Sequence, residues 1–249
     1  MSTPPKIRFA SSLIGALCMF AAIRAANAEP VAVANITAIE GVISVQHADG
    51  ECALLDLQAP LYEKDILTSE ADSRARIEFA DQSVVLLPPE SSLSIEAYAY
   101  PPENPATGNI LLRLIKGGLR KITGLIGHAA PPQDQMQTPV ASIGIRGTHY
   151  GLIYCQDNCQ ETVVAAPGQN IANGLHVDVT EGEISVNTRQ NQLTVTAGQF
   201  AYVQTAEHEA ALIPPEQGLQ MNIPAIMIDG APSGDIHNPH QIHGQCTDK

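Results

Sequence analysis

Alternation of apolar and polar residues dominates the chain after about residue 30. Residues 74–79, Arg-Ala-Arg-Ile-Glu-Phe, and 192–196, Gln-Leu-Thr-Val-Thr, both place apolar side chains at every second position. This period is typical of strands with one buried face. Residues 84–87 and 111–115 are more continuously apolar, which predicts strands that are more fully buried. With frequent Gly, Pro and Asn and no long helical period, the sequence predicts an all-β protein, either a solenoid-like roll or a two-sheet sandwich of many short strands.

One short segment occurs twice. Residues 40–45 read Glu-Gly-Val-Ile-Ser-Val and residues 181–186 read Glu-Gly-Glu-Ile-Ser-Val, so five of six positions agree. Similar turn chemistry alone or a true duplication would explain the match. Related end strands in a coiled or two-sheet β stack are the form that a duplication would take.

The two ends of the chain differ from its centre. Lys6 and Arg8 precede an apolar run over residues 9–23 and the small residues of Ala26-Asn27-Ala28, which is typical of a secretory signal peptide over residues 1–28. We therefore predict a periplasmic or secreted protein that keeps no membrane span after cleavage. Residues 29–205 form the predicted all-β region, and the proline-interrupted residues 206–249 are expected to form an irregular tail.

Composition excludes several functions. The formal net charge is −13, and cleavage at residue 28 would remove three basic residues and no acidic one. A surface this acidic repels phosphate, so nucleic acid is not an expected partner. The sequence contains no nucleophile elbow, phosphate loop, dinucleotide fingerprint or His-Glu-x-x-His pair. We expect a protein that is not an enzyme and has no cofactor.

Four cysteines follow the predicted signal peptide, an even number for an oxidising compartment. Cys155 and Cys159 enclose turn residues and could bridge a hairpin loop, which would leave Cys52 to pair with Cys246. The sequence allows three connectivities.

Half of the basic residues after the signal peptide lie between Arg113 and Arg146. Lys116, Arg120, Lys121 and Arg146 could form a positive patch for an acidic partner or an anionic ligand. The alternative is that they pair with the protein's own carboxylates, above all Arg146, whose strand position suggests an ion pair.

Histidines are concentrated near the end of the chain. His237, His240 and His243 lie between Asp235 and Cys246, and such side chains suit zinc, copper or nickel. The spacing is not that of a known zinc module, so adventitious metal affinity of a polar tail is the competing interpretation. A metal-binding or metal-sensing protein is the alternative function.

A set of motifs in the centre of the chain resembles the FecR domain, a periplasmic sensor domain. The resemblance covers about residues 60–155. It includes residues 73–79 and 81–83, the Lys-Gly-Gly-Leu-Arg run at 116–120 and, most specifically, Thr-Pro at 138–139 followed by Gly-Ile-Arg-Gly-Thr at 144–148. Gln82 stands where the family usually has glycine in an Asp-Gly-Ser turn, which leaves the turn type open.

The resemblance implies a binding function. In membrane-anchored family members an anti-sigma segment and a transmembrane helix precede this domain, which receives a signal from an outer-membrane receptor. We expect neither segment to precede the domain here, so the resemblance implies an adaptor that recognises an envelope protein or ligand in signalling or assembly. Docking of a strand or loop at an exposed sheet edge, helped by the basic patch, is the expected mechanism.

Overall fold

The computed structural model describes residues 31–129, 133–157, 159, 162–163, 171–221, 223–224 and 227. The predicted signal peptide lies outside the described residues. Fifteen strands and two short 3-10 helices, Pro105–Thr107 and Pro215–Gln217, make up the regular structure described. The strands are β1 (Ala34–Glu40), β2 (Ile43–Gln46), β3 (Cys52–Leu54), β4 (Pro60–Leu61), β5 (Ile66–Ser69), β6 (Arg74–Phe79), β7 (Val84–Leu87), β8 (Ser92–Ala99), β9 (Asn109–Ile122), β10 (Asp134–Gln137), β11 (Ser142–Cys155), β12 (Gly174–Asn187), β13 (Gln192–Thr196), β14 (Phe200–Val203) and β15 (Ala211–Ile213).

These strands form one open, mixed sheet that folds into two layers, which confirms the all-β prediction. Layer A contains β3, β2, β5, β8, the first half of β9, β10, the first half of β11, the second half of β12 and β13, in that order. Layer B contains β4, β1, β6, β7, the second halves of β9 and β11, the first half of β12, β14 and β15. The β9–β10 pair is parallel and the other pairs are antiparallel.

A single hydrophobic core joins the two layers. Ile36 and Ile77 of layer B belong to the same buried cluster as Ile43 and Leu112 of layer A. The apolar residues at every second position of each strand provide these core side chains, because alternate residues of a strand point to the same face. Burial of this apolar surface is the main stabilising contribution.

The chain turns between layers at glycines, and this explains the repeated segment. β1 ends in layer B before Gly41 and β2 begins in layer A after it, while β12 crosses from layer B to layer A at Gly182. These glycines have φ values of 76° and 75°, a left-handed conformation that favours glycine. A Cβ at Gly182 would also lie 2.3 Å from the carbonyl oxygen of Gly147. Both copies of the repeated segment thus place their glycine where the chain passes from layer B to layer A, and this shared position accounts for the sequence match.

The Asp81-Gln82-Ser83 turn keeps a left-handed residue although it lacks glycine. Gln82 has a φ of 69° and is exposed. The buried Asp81 carboxylate accepts hydrogen bonds from the Ser83 hydroxyl at 2.6 Å and the Ser83 amide at 3.2 Å. A side-chain hydrogen bond network thus holds the turn in the conformation that glycine would take without strain.

One expectation about an individual segment needs correction. Residues 84–87 are all buried as predicted, but residues 111–115 alternate, with Leu112 and Leu114 in the core and Ile115 37% exposed. In the region predicted as an irregular tail lie β15 and the second 3-10 helix, of three residues each. Within the described part of the chain no helix is long and apolar enough to cross a membrane.

Candidate partner-binding surface

Lys121 lies inside the protein, which corrects its prediction as part of an exposed patch. Its side chain is 0% exposed, and its Nζ lies 2.5 Å from Oδ1 of Asp134. The physical reason is strand geometry. Neighbouring residues on a strand point to opposite faces, so Lys121 points into the core with Leu119 while Arg120 points outward.

Arg120 is paired with a carboxylate of the protein itself. Its guanidinium donates to Asp178 Oδ2 at 2.6 Å and to the Thr180 hydroxyl at 3.0 Å, on the outer face of layer B. Only 13% of the Arg120 side chain and 7% of the Asp178 side chain are exposed. Burial raises the pKa of Asp178 and the Arg120 charge acts in the opposite direction. A partner would reach Arg120 only by displacing Asp178.

Lys116 and Arg146 are the exposed members of the predicted set. Lys116 lies next to the Gly117 corner. Arg146 lies on β11 in layer A, with 73% of its side chain exposed and NH1 3.9 Å from Oε1 of Glu183. An ion pair this exposed contributes little to stability, so Arg146 is free of a structural task that would prevent binding.

A groove adjoins Arg146 on the outer face of layer A. Its volume is about 260 Å³, and its lining residues come from β10, β11, β12 and β13: Asp134, Gln135, Gly144, Ile145, Arg146, Glu183, Ile184, Ser185 and Thr194. We call it the Arg146 groove. Ligand pockets usually enclose roughly 300–1,000 Å³. The groove is therefore suited to one or two side chains of a partner.

The floor of the Arg146 groove is a row of small or polar residues across four strands. Gln135 pairs with Gly144, Gly144 with Ser185, and Ser185 with Thr194. A Cβ at Gly144 would meet only Ser185 Cβ, at 3.8 Å, so the space above this glycine is open. The floor therefore leaves room above Gly144 for a side chain.

The groove ends at β13, an edge of layer A. Among the described strands β13 pairs with β12 alone. Gln192, Thr194 and Thr196 are exposed along it, while Val195 is buried. An edge strand of this kind presents unpaired backbone groups that can pair with an incoming strand.

The remaining sequence predictions have mixed outcomes. Cys155 and Cys159 form a disulfide with Cα atoms 5.3 Å apart. Cys52 is also disulfide-bonded, but its pairing with Cys246 stays a prediction because Cys246 lies outside the described residues. His237, His240 and His243 lie there too. Among the described side chains no group of three His, Cys, Asp or Glu could hold a metal ion.

Sequence reasoning missed a buried polar cluster around Lys121. Asp134 and Tyr150 are 2% and 0% exposed, and Asp134 Oδ2 and the Tyr150 hydroxyl lack hydrogen bond partners in the described structure. Burial raises the pKa of Asp134, Lys121 opposes this, and the charge of Asp81 adds to it. Asp134 lies two residues before the buried Met136, so both side chains point to the same face of the strand. This spacing was the available sequence signal that Asp134 faces the core.

The comparisons with solved structures give distant similarities. Two structures of a protein from Parabacteroides distasonis, provisionally named an anti-sigma factor, are 13% and 12% identical with TM-scores of 0.42 and 0.41. Each similarity covers 59% of this chain, which spans 58% of the other protein. A cell surface anchoring domain is 24% identical over 25% of this chain and 82% of its own length, with a TM-score of 0.24.

No curated protein matches the sequence. The family model described as FecR protein matches residues 65–185, which extends the resemblance from residue 155 to the second copy of the repeated segment. The match includes Gly144–Thr148 and the strands that form most of the Arg146 groove. Residues 65–185 therefore carry the FecR domain that the sequence motifs predicted.

Proposed function

We propose that this chain is a non-catalytic periplasmic protein that recognises an envelope protein in signalling or assembly. The FecR domain associates the chain with signalling-related regulation. The signal-peptide pattern of residues 1–28 supports export, and the predicted disulfide of Cys155 with Cys159 suits an oxidising compartment.

The observation that carries the proposal is the position of Arg146. This arginine belongs to the Gly-Ile-Arg-Gly-Thr run, is largely exposed, and lies beside a groove that opens toward the edge strand β13. The occupant we propose is an extended segment of the partner protein. Its backbone would pair with β13, and an acidic side chain would enter the groove and contact the guanidinium, which binds carboxylates through two parallel hydrogen bonds.

This proposal replaces the basic patch expected from the sequence. Lys121 is buried and Arg120 is paired, so a cluster of four cations is not available to the partner. Arg146 at the groove becomes the main cationic contact. Lys116 lies at a different corner of layer A and has no part in the proposed contact.

Charge reversal at Arg146 tests the proposal. The full chain would be crosslinked in its own periplasm, and captured proteins would be compared for the wild type, Arg146→Glu and Lys64→Glu. Lys64 is 54% exposed and lies in the turn between β4 and β5, so its reversal is a matched control. We expect the wild type and Lys64→Glu to capture the same envelope protein and Arg146→Glu to lose it. Equal capture by all three would contradict a role of the groove.

Export is tested separately. We expect the protein in the periplasmic fraction to begin at Glu29, as measured by N-terminal sequencing. Recovery of only an uncleaved chain in the cytoplasmic fraction would contradict the periplasmic part of the proposal.

A further inference from the structure

The Lys121–Asp134 contact brings a primary amine and a carboxyl group together between the two layers. Lys121 lies on the layer B half of β9 and Asp134 opens β10 in layer A. Nζ is 2.5 Å from Oδ1, so the carboxyl carbon is at most one C–O bond further away. The two side chains are 0% and 1% exposed, which excludes bulk water from the contact.

The surroundings do not satisfy a buried ion pair. Asp134 Oδ2 has no hydrogen bond partner within the described structure, and Tyr150, directly opposite Lys121 on β11, has a fully buried hydroxyl that also lacks one. A buried charge pair is stable only when additional hydrogen bonds satisfy its remaining atoms. Burial raises the pKa of Asp134, so its neutral acid is favoured relative to an aspartate in water.

We propose that Lys121 and Asp134 become joined by an intramolecular isopeptide bond after the chain folds. The Nζ lone pair attacks Cγ of the Asp134 carboxylic acid and forms a C–N bond. The C–O bond to the unpartnered Oδ2 then breaks, and this oxygen leaves with two protons as one water molecule. The product is a neutral secondary amide, and no oxidant, reductant or other reactant is consumed.

Folding supplies what this condensation needs. Amines and carboxylic acids do not condense at a useful rate in water, but two reacting groups held in contact act as if at very high concentration. An apolar environment also favours the neutral amine and neutral acid over the ion pair. Asp81 is a second buried carboxylate, close enough for its charge to act on Asp134, and can carry protons during the reaction.

Intact mass spectrometry of the full secreted chain tests the bond. After complete reduction and denaturation, we expect the wild-type mass to be lower than the sequence mass by one water. Reduction restores the hydrogens lost in disulfides, so this deficit is separate from them. A reduced wild-type mass equal to the sequence mass would overturn the proposal.

A variant and a peptide measurement locate the lost water. Lys121→Arg keeps the positive charge but does not form the amide, so its mass should show no deficit. A mass deficit of one water that persists in this variant would count against the bond. Cyclisation of an N-terminal Glu29 would produce such a deficit without any bond between Lys121 and Asp134. If Lys121→Arg does not fold, the intact mass of the reduced wild-type chain still tests the bond. Tryptic digestion should give one branched peptide that joins the segments around residues 121 and 134, and two separate peptides would refute the bond.

Discussion

The outer faces of the two layers are built differently. On layer B, Ile153 and the Cys155–Cys159 disulfide pack with Val163, Leu219 and Met221, and a second cluster contains Ala38, Val84, Leu86 and Met227. On layer A, the corresponding face of β10 to β13 carries Gln135, Arg146, Glu183 and Thr194, all exposed.

One strand illustrates the difference. In β11, residues 142–146 alternate between core and solvent, whereas residues 150–155 have little exposed surface on either face. An alternating strand needs one covering layer and a continuously apolar strand needs two. The layer A face is therefore open to solvent, while the layer B face is covered by apolar side chains that stabilise the fold.

Two glycines on β11, one on each layer, give the largest expected difference in stability between the two faces. Gly151→Ala on layer B would place Cβ 2.2 Å from Asp178 Oδ1 and force the Arg120–Asp178 pair apart. Because both charges are nearly buried, we expect the free energy of unfolding to fall by about 3 kcal/mol, measured by urea denaturation. A loss no larger than that of the matched variant Gly144→Ala would contradict the difference between the faces.

Removal of an apolar side chain from the cover of layer B should have the next largest effect. Leu219 is 4% exposed and belongs to the cluster with Ile153 and Met221. We expect Leu219→Ala to lower the free energy of unfolding by about 2 kcal/mol, at the low end for leucine truncation, because the site is near the surface. Thermal denaturation would check this, and Leu212→Ala, at a 47% exposed leucine, is the control expected to change little.

Acidification should lower the free energy of unfolding through His176, which lies on β12 in layer B. Burial lowers the pKa of His176, and its Nε2 donates to the Ala172 carbonyl at 2.8 Å, which leaves the buried Nδ1 without a partner in the described structure. The unfolded chain therefore takes up a proton at this histidine at a higher pH than the folded chain does. As a result, the free energy of unfolding has its full value above the ordinary histidine pKa of about 6.5 and decreases as the pH falls below that value. His149, whose pKa burial and Arg120 also lower, adds to the trend.

The variant His176→Gln isolates the contribution of His176 to this pH dependence from that of His149. Glutamine can still donate to the Ala172 carbonyl but takes up no proton. We expect the loss of stability between about pH 7.5 and 5.5 to be smaller in this variant than in the wild type. Equal losses in urea denaturation series at the two pH values would show that His176 is not responsible.

The smallest effect is expected at Gly144, on the open face. A Cβ there meets only Ser185 Cβ at an ordinary distance of 3.8 Å. Since alanine costs less conformational entropy than glycine in a strand, Gly144→Ala should leave stability unchanged or raise it by about 0.5 kcal/mol. A clear loss in urea denaturation would show that the floor of the Arg146 groove is packed against another part of the protein.

Much of the fold could be predicted from the sequence. Period-two segments such as residues 74–79 form strands as expected, and the Gly-Ile-Arg-Gly-Thr run identified the FecR domain. The second copy of the repeated segment lies at the end of the family match, and its glycine marks a corner between layers. The order of strands in each layer could not be predicted, because it depends on pairings between residues far apart in the chain.

The site was harder to predict for a definite reason. Alternation alone places Arg120 and Lys121 on opposite faces, so a patch that contained both was inconsistent with the strand over residues 109–122. The partner of each cation was not accessible to sequence reasoning. Asp178 reaches Arg120 only because β11 pairs with both β9 and β12, and Asp134 reaches Lys121 only through the approach of the two layers.

The long strands β9, β11 and β12 each run through both layers without a break in the chain. Neither layer can therefore open without bending or releasing strands that also hold the other. Such continuity favours a single cooperative unit, in which protected amide protons of both layers exchange with solvent through the same global opening. A partner held at the Arg146 groove would then slow amide exchange in layer B as well, at strands that it never touches.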